Sequence, residues 1–322
     1  MNRREIFSPD AKRRAARFMA DRGTAVRRPN GGNGHGRTLV LDPKKLARFE
    51  PARQRLAGQL TDGALPVRRA RIGQREILQV ADLTIHFGGV HALEGVDLVA
   101  RTAEIAGVIG PNGAGKTTFF NCLSGLLTPD RGVITFDGHK LDGSPASRGR
   151  LGLGRTFQTP RLFGSLSVME NLKFGCRTAD SARREYVFDP SLRRLSHEER
   201  GVRIAHMVGF RGDLGAPAGS LPFGDLRTVE LARALCGAPS LLMLDEPASG
   251  LDVAQAEDFV DLLRSLSDLG LAILLIEHDM SLVMGICDHI TVLDFGQVLA
   301  AGPPSEIQRN EAVIEAYLGR SD

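Results

Sequence analysis

The segment 110–117 combines residue types and a spacing that suit phosphate binding: Gly-Pro-Asn-Gly-Ala-Gly-Lys-Thr. Glycines let the backbone approach a triphosphate closely and point several N–H groups at it, and the helix start that follows adds a favourable dipole. Lys116 can reach the β- and γ-phosphates, and the Thr117 hydroxyl can ligate Mg²⁺. The sequence therefore predicts a nucleotide-phosphate site. The residues expected to contact the nucleotide here are Gly110, Pro111, Asn112, Gly113, Ala114, Gly115, Lys116, Thr117 and Thr118.

An acidic pair, Asp245 and Glu246, follows the apolar run 241–244. Open α/β sheets place their ligands at the carboxyl ends of strands, and carboxylates suit Mg²⁺. We expect Asp245 to lie on the metal side, acting through a water. We expect Glu246 to orient or deprotonate the water that attacks the γ-phosphate. Taken alone, the pair could be a solvated strand end, but beside a phosphate loop the catalytic interpretation is favoured.

From residue 77 onwards, the hydrophobic pattern indicates the elements that hold these groups in place. The expected strands are 77–87, 92–100, 105–110, 133–138, 241–244, 271–277 and 289–294. The expected helices are 116–127, 253–268 and 279–286, with helical stretches near 167–175 and 196–208 in a charge-rich insert. The first two strands alternate like antiparallel neighbours, whereas the later ones are continuous apolar runs separated by helices. This order predicts an α/β fold with a mainly parallel sheet covered on both faces.

Composition excludes several classes of protein. The 322 residues, 42% hydrophobic and 25% charged, suffice for one large domain with an appendage. No run of about 18 apolar residues occurs, so no membrane span is expected. The basic start also lacks the apolar core of a secretory signal. The four cysteines form no Cys-x-x-Cys pair, which argues against a disulfide framework or a cysteine zinc site. With two Tyr and no Trp, a surface that stacks nucleic-acid bases is not expected.

The charge is unevenly distributed along the chain. Residues 1–76 contain 19 Lys and Arg against 7 Asp and Glu, whereas the rest contains 22 against 31. This step predicts a boundary near residue 76. We interpret 1–76 as a solvated, largely disordered extension with a possible short helix at 10–20. Two alternatives are an electrostatic tether to anionic lipid or nucleic acid, and a start codon assigned too far upstream.

Further motifs occur in a specific order before, around and after the acidic pair. They are RTFQ (155–158), LDEP (244–247), SGLD (249–252) and IEHD (276–279). With the phosphate loop, they resemble the ATP-binding subunit of ABC transporters over roughly residues 77–320. The resemblance implies a P-loop NTPase fold of the ABC ATPase type, with an antiparallel β subdomain and a helical subdomain at about 159–236. The segments 120–132, 155–172 and 277–288 and the end AYLG (316–319) resemble more closely the ATP-binding subunits of bacterial branched-chain amino-acid importers.

The resemblance implies ATP and Mg²⁺ as ligands and assigns roles at matching positions. Gln158 is expected to sense Mg²⁺ and the γ-phosphate, and His278 to act as a switch on the γ-phosphate. Asp252 is expected at the seam between two ATP-binding subunits. Phe87 occupies the place of the aromatic that stacks on adenine, although it could equally be a core phenylalanine. The expected catalytic residues are thus Lys116, Gln158, Glu246 and His278, and the expected metal-side residues are Thr117, Gln158 and Asp245.

The signature segment of the superfamily, usually Leu-Ser-Gly-Gly-Gln, is Leu-Pro-Phe-Gly-Asp at 221–225. Gly224 and the helix start after it could still offer N–H groups to a γ-phosphate on a partner subunit. The serine hydroxyl is missing, and Asp225 places a negative charge near phosphate. We expect a weakened contact with the partner's nucleotide, so any asymmetry in hydrolysis should appear there. The alternative is a proline-capped helix start with no such contact.

The resemblance implies an ATPase that powers an importer at the cytoplasmic face of the bacterial inner membrane. The implied partners are a second ABC ATP-binding subunit, as a heterodimer or homodimer, two membrane permease subunits and, indirectly, a periplasmic solute-binding protein. The stretch 161–172, with Phe163 and Leu166, is the expected permease contact, unless it packs within the helical insert.

Two other functions stay open at this point. The same architecture could import urea or another amide, since this subunit does not touch solute. A different class is a soluble non-transport ABC ATPase that binds DNA or ribosomes through its Arg-rich extension. The single phosphate loop and the match at 161–172 argue against that class, so no nucleic acid is expected as a partner.

Overall fold

The computed structural model describes residues 74–251 and 253–318. Nearly all of the basic extension, its possible helix at 10–20 and the predicted seam residue Asp252 lie outside the described residues. Within the described part, no helix is both long and apolar enough to cross a bilayer.

The strands form two sheets. In chain order they are β1 (Glu76–Phe87), β2 (Val90–Arg101), β3 (Ile105–Ile109), β4 (Arg131–Phe136), β5 (His139–Lys140), β6 (Leu153–Arg155), β7 (Leu241–Asp245), β8 (Ala272–Ile276), β9 (His289–Asp294) and β10 (Gln297–Gly302). One sheet has the order β2-β1-β4-β5 and is antiparallel. The other has the order β10-β9-β3-β8-β7-β6, and only the edge strand β10 runs antiparallel to its neighbour. The predicted fold class is confirmed.

The α-helices are distributed between and after the strands. They are α1 (Lys116–Ser124), α2 (Pro145–Leu151), α3 (Val168–Ser181), α4 (His197–Met207), α5 (Phe223–Cys236), α6 (Val253–Asp268), α7 (Met280–Ile286), α8 (Pro304–Ile307) and α9 (Glu311–Leu318). Both α3 and α4 begin with a capping box, in which an N-terminal serine and a glutamate three residues later satisfy each other's backbone N–H groups. These capping boxes fix where the charge-rich insert becomes helical.

The centre of the parallel sheet is fully buried. Every residue of β3, β7 and β8 is buried, as expected for strands covered on both faces. Because the strands run in parallel, the residues that follow β3, β7 and β8 emerge at one edge of the sheet. This edge therefore collects the phosphate loop, the acidic pair and the segment containing His278.

Some element boundaries differ from the sequence prediction. The helix expected at 116–127 ends at Ser124, because Gly125 takes a left-handed conformation (φ 76°) and its N–H caps the carbonyls of Asn121 and Cys122. The strand expected at 133–138 lies at Arg131–Phe136. The sequence interpretation also missed β5, β6, β10, α2, α8 and α9. A strand of three residues such as β6 is too short to show a periodic pattern.

Candidate active site

The phosphate loop depends on glycine at its two ends. Gly110 has φ 154°, and a Cβ there would lie 2.1 Å from the carbonyl oxygen of Leu293. Gly115 has φ 100°, and a Cβ there would lie 2.5 Å from the carbonyl oxygen of Ala92. The loop is thus held between the end of β9 and strand β2. Around Gly113, by contrast, nothing lies within 4 Å of a Cβ position, so the middle of the loop is open to a ligand.

Lys116, the first residue of α1, reaches back over the loop. Its Nζ donates hydrogen bonds to the carbonyl oxygens of Gly110 (2.6 Å) and Pro111 (2.9 Å). Burial lowers the pKa of Lys116, and the charges of Glu246 and Asp245 oppose this shift. The ammonium group therefore lies at the mouth of the loop within the field of both predicted carboxylates. The other loop residues divide by exposure: Ala114 is buried, Pro111 and Thr118 are half-buried, and Asn112 and Thr117 are exposed.

Asp245 belongs to a largely buried group that we call the inner cluster: Arg155, Asp245, Asn121 and Ser124. Arg155 Nη2 lies 3.3 Å from Asp245 Oδ2, and both side chains are less than one-tenth exposed. Arg155 Nη1 also donates to Asn121 Oδ1 (2.9 Å) and Ser124 Oγ (2.6 Å) on α1. Burial raises the pKa of Asp245, and Arg155 opposes the shift. A single guanidinium thus joins the acidic strand end to the helix of the phosphate loop.

Glu246 belongs to a second group, the outer cluster: Gln158, Glu246 and His278. Gln158 Nε2 donates to Glu246 Oε2 (2.9 Å), and His278 Nδ1 lies 3.8 Å from the same oxygen. Glu246 has φ 47°, an uncommon conformation for a residue with a side chain. Its N–H donates to the carbonyl oxygen of Ile276 at the end of β8 (2.9 Å). The structure thus brings three predicted site residues together at one carboxylate.

Two residues of α5, which sequence reasoning did not identify, hold the backbone of the outer cluster and its neighbouring segments through hydrogen bonds. Arg227 donates to the carbonyl oxygens of Glu246 (3.1 Å), Pro247 (3.0 Å) and Gln158 (3.3 Å). Glu230, 2% exposed, accepts N–H groups from the segment beside Gln158, namely those of Phe157 (3.2 Å) and Arg161 (2.7 Å).

Glu277, directly after β8, is a third supporting residue that sequence reasoning did not identify. It is 1% exposed, and it accepts hydrogen bonds from the N–H groups of Ala248 (2.9 Å) and His278 (3.2 Å). Burial raises the pKa of Glu277. These two hydrogen bonds hold the backbone at His278 and two residues after Glu246. The only signal in the sequence was adjacency to His278, and that does not reveal a buried acid.

Two predicted residues lie apart from these clusters. Phe87 is at the tip of the β1–β2 hairpin, 46% exposed, on the strand pair whose Ala92 contacts the phosphate loop. Gly224 is exposed in the first turn of α5, with nothing within 4 Å of a Cβ position. Pro222 precedes this helix without a side-chain hydrogen bond to it. Both residues therefore border open space.

The residues present fit a magnesium-bound nucleotide. The loop offers an open glycine turn at a helix start, the ammonium of Lys116 and the hydroxyl of Thr117, and two carboxylates lie at the end of β7, which β8 separates from β3 in the sheet. Backbone N–H groups and a lysine suit phosphate, whereas carboxylate and hydroxyl oxygens suit Mg²⁺. The arrangement can bind a triphosphate, with Glu246 available to a water beside it.

Comparison with known proteins agrees with this geometry. The ABC transporter family matches residues 93–249, and the branched-chain amino acid ATP-binding cassette transporter family matches residues 297–322. The branched-chain amino acid transport ATP-binding protein BraF of Pseudomonas aeruginosa is 42% identical, covering 77% of this chain and 99% of that protein. Its counterpart LivG of Escherichia coli is 40% identical, covering 76% and 98%. The lipopolysaccharide export ATP-binding protein LptB of Acidithiobacillus ferridurans is 34% identical, covering 76% and 97%.

Solved structures give the same result. A nucleotide-free ATP-binding cassette from an ABC transporter superposes with a TM-score of 0.65 at 28% identity, covering 76% of this chain and 100% of that chain. A cassette in its ADP conformation superposes with a TM-score of 0.64 at 28% identity and the same coverage. The fold, the phosphate loop and the identity over nearly the whole length of these relatives lead to one conclusion. The chain belongs to the branched-chain amino acid transport ATP-binding proteins, a family of ABC transporter ATPases.

Proposed function

We propose that this ATPase powers the import of branched-chain amino acids through a membrane permease, using Mg²⁺ and the site residues described above. The observation that carries the proposal is the outer cluster, in which Gln158 and His278 meet Glu246 beside the phosphate loop. BraF and LivG, 42% and 40% identical to this chain, are branched-chain amino acid transport ATP-binding proteins by name.

Nucleotide binding is proposed to use the loop 110–118 and Phe87. The N–H groups of the loop hold phosphate oxygens, and Lys116 exchanges its bonds to the loop carbonyls for bonds to the β- and γ-phosphates. The exposed ring of Phe87 stacks on the adenine face. Thr117, Gln158 and Asp245 would hold Mg²⁺, Asp245 through a water, and the bound ion would supply positive charge to the phosphates.

Hydrolysis is proposed to depend on Glu246 as the group that orients and deprotonates the attacking water. Gln158 Nε2 donates a hydrogen bond to Glu246 Oε2, and His278 Nδ1 lies 3.8 Å from the same atom. The two side chains can therefore hold the carboxylate in the position that faces the water. Lys116, on the other side of the phosphates, stabilises charge that develops on them. His278 is 62% exposed and can turn towards the γ-phosphate.

Coupling to transport is proposed to run through the helical part of the domain. We propose 77–320 as the ATP-binding domain, with a helical subdomain at about 159–236 and 1–76 as a basic extension. The permease contact would be the stretch 161–172, because Phe163 is 52% exposed and packs on Phe174, 42% exposed, with ring centroids 5.2 Å apart. Two adjacent exposed aromatic rings are typical of an interaction surface.

A second ATP-binding subunit is proposed to complete the site. Gly224 and the start of α5 face open space in the single chain, which leaves their N–H groups available to a partner's nucleotide. Asp225 and the absent serine hydroxyl of the segment 221–225 would weaken that contact, so the partner's nucleotide should be hydrolysed less well. We place the assembly at the cytoplasmic face of the inner membrane, with two permease subunits and a periplasmic solute-binding protein.

Copurification from membranes followed by reconstitution tests the proposal. The complex, isolated through a tag on this chain, should contain permease subunits, and its vesicles should take up labelled leucine in an ATP-dependent way. Uptake of urea or another amide in place of leucine would show that branched-chain amino acids are not the transported solute. Recovery of the chain with DNA or ribosomes and no permease would reject the transport function.

A further inference from the structure

Two histidines and a glutamate meet on the β1–β2 hairpin, apart from the inner and outer clusters. His86 and His91 are paired across the two strands, immediately below the turn formed by Gly88 and Gly89. Glu94 follows on β2. His86 Nε2 lies 2.9 Å from Glu94 Oε2, and His91 Nδ1 lies 2.6 Å from the same oxygen. One nitrogen from each imidazole and one carboxylate oxygen thus converge within 4.8 Å of one another.

Two imidazoles and a carboxylate form a donor set that binds Zn²⁺ with a fourth position open to water. We propose that His86 Nε2, His91 Nδ1 and Glu94 Oε2 form a binding site for Zn²⁺ or a similar transition-metal ion. Zinc–nitrogen and zinc–oxygen bonds of about 2.0–2.2 Å require the donors to separate slightly from their present hydrogen-bond distances. The side chains of His91 and His86 are 63% and 38% exposed, so they have room to move.

The surroundings of the three donors support this assignment. Asp130 Oδ2 lies 3.6 Å from His86 Nδ1, the nitrogen that faces away from the site. With a metal bound, a carboxylate beside that nitrogen would favour the proton on Nδ1 and leave the lone pair of Nε2 for the ion, as is usual for metal-binding histidines. The same oxygen accepts the backbone N–H of His86 (2.8 Å), which fixes Asp130 in place.

Glu94 is prepared as a ligand in a similar way. Its Oε2 atom faces both imidazoles, at 2.9 Å from His86 Nε2 and 2.6 Å from His91 Nδ1. Arg131 Nη2 lies 3.7 Å from the other oxygen, Oε1, which leaves Oε2 directed at both imidazoles.

An ion at this position would join β1 to β2 below a glycine turn. The hairpin contacts the rest of the molecule a few residues further on, where the Glu94 N–H donates to the carbonyl oxygen of Gly296 (2.8 Å). Binding is therefore expected to slow amide hydrogen exchange at 87–90. This expectation concerns the hairpin alone and does not depend on ATP hydrolysis.

Zinc titration of the full-length, nucleotide-free chain tests the proposal. After chelation and dialysis, calorimetry should show one tight site, and Co²⁺ should give the visible absorption of a low-coordinate ion. His86→Ala and His91→Ala should each weaken binding by at least about tenfold, and Asp130→Asn by about tenfold. His139→Ala changes an exposed histidine on another strand of the same sheet and is the matched control, with unchanged affinity. Circular dichroism verifies that each variant is folded.

Three results would overturn the site. The first is no zinc binding by the parent chain, and the second is unchanged affinity in the double variant His86→Ala/His91→Ala. The third is loss of binding with His278→Ala, which would place the ion in the outer cluster. A loss confined to the His86, His91 and Asp130 variants, with slower exchange at 87–90 on adding Zn²⁺, establishes it.

Discussion

The inner and outer clusters begin at adjacent residues of one strand end, yet their environments are opposite. Asp245 of the inner cluster is buried, and it is paired with a guanidinium that also binds α1. Glu246 of the outer cluster has a left-handed backbone conformation, and its side chain meets two exposed partners. The inner cluster is therefore fixed by the core of the domain, whereas the outer cluster is free to adjust to a ligand.

The supports of the two clusters differ as well. Arg155 is on β6 and joins neighbouring parts of the parallel sheet and α1. The outer cluster is attached to α5 through Arg227, which binds the backbone of both Gln158 and Glu246. The first turn of that helix contains Gly224, which we propose faces a partner subunit. A movement of α5 would therefore displace Gln158 and Glu246, the proposed hydrolytic residues, while leaving Asp245 in place.

The largest expected effect is from Glu246→Gln, which keeps the shape of the outer cluster and removes its proposed base. We expect the rate of ATP hydrolysis to fall about 10²–10⁴-fold, since a general base contributes that much. ATP affinity should be nearly unchanged, as measured by equilibrium binding of a fluorescent nucleotide. A rate of ATP hydrolysis close to that of the parent would contradict the proposed role of Glu246 as the base, and with it the proposed functional difference between the two clusters.

Lys116→Ala should affect binding and hydrolysis together. The ammonium is the charge at the mouth of the loop, and loss of one such group costs about 10²–10³-fold in rate. Nucleotide affinity should also fall, in contrast to Glu246→Gln. Lys140→Ala changes an exposed lysine outside the site and is the control. The same nucleotide affinity in Lys116→Ala and Lys140→Ala would contradict the proposed contact.

Arg155→Ala tests whether the inner cluster is structural. Removing one partner of a buried ion pair leaves Asp245 uncompensated and is expected to lower the free energy of unfolding by about 3–5 kcal/mol. Urea unfolding measures this loss. The double variant Arg155→Ala/Asp245→Ala should be less destabilised than the sum of the single variants, because neither charge is then left alone. Additive losses would show that the two side chains do not depend on each other.

Much of the fold was predictable from the sequence, and the reasons are physical. The apolar runs that became β7, β8 and β9 are long enough to identify, and the spacing of glycines before Lys116 follows from the shape of a phosphate loop. Local patterns could not show that Arg155 meets Asn121 and Asp245, which are 34 and 90 residues away in the chain. Likewise, nothing local marks Arg227 and Glu230 as the supports of Gln158, because a helix shows its buried face but not what packs on it.

Arg227→Ala tests the attachment of the outer cluster to α5. The side chain donates three hydrogen bonds to backbone carbonyls, and a charged hydrogen bond is worth about 1.5–3 kcal/mol. We expect turnover to fall about tenfold or more with a smaller change in ATP affinity, as steady-state kinetics and nucleotide binding will show. Arg150→Ala, an exposed arginine on α2, is the matched control. An equal loss of affinity and turnover would mean that Arg227 supports the whole site and not one cluster.

The smallest effect concerns pH and Glu277, the buried acid beneath the outer cluster. Because burial raises its pKa in the folded state, the folded chain binds this proton more tightly than the unfolded chain does. Its contribution to the free energy of unfolding should therefore decrease as pH rises above about 4.3, the ordinary value for glutamate, and through the raised pKa. Glu277→Gln removes this titration. The unfolding free energy of the parent minus that of the variant should accordingly fall with rising pH, as urea unfolding at several pH values will show. If the parent's unfolding free energy instead rises relative to the variant's as pH increases, the hydrogen bonds from Ala248 and His278 outweigh burial and hold Glu277 ionised.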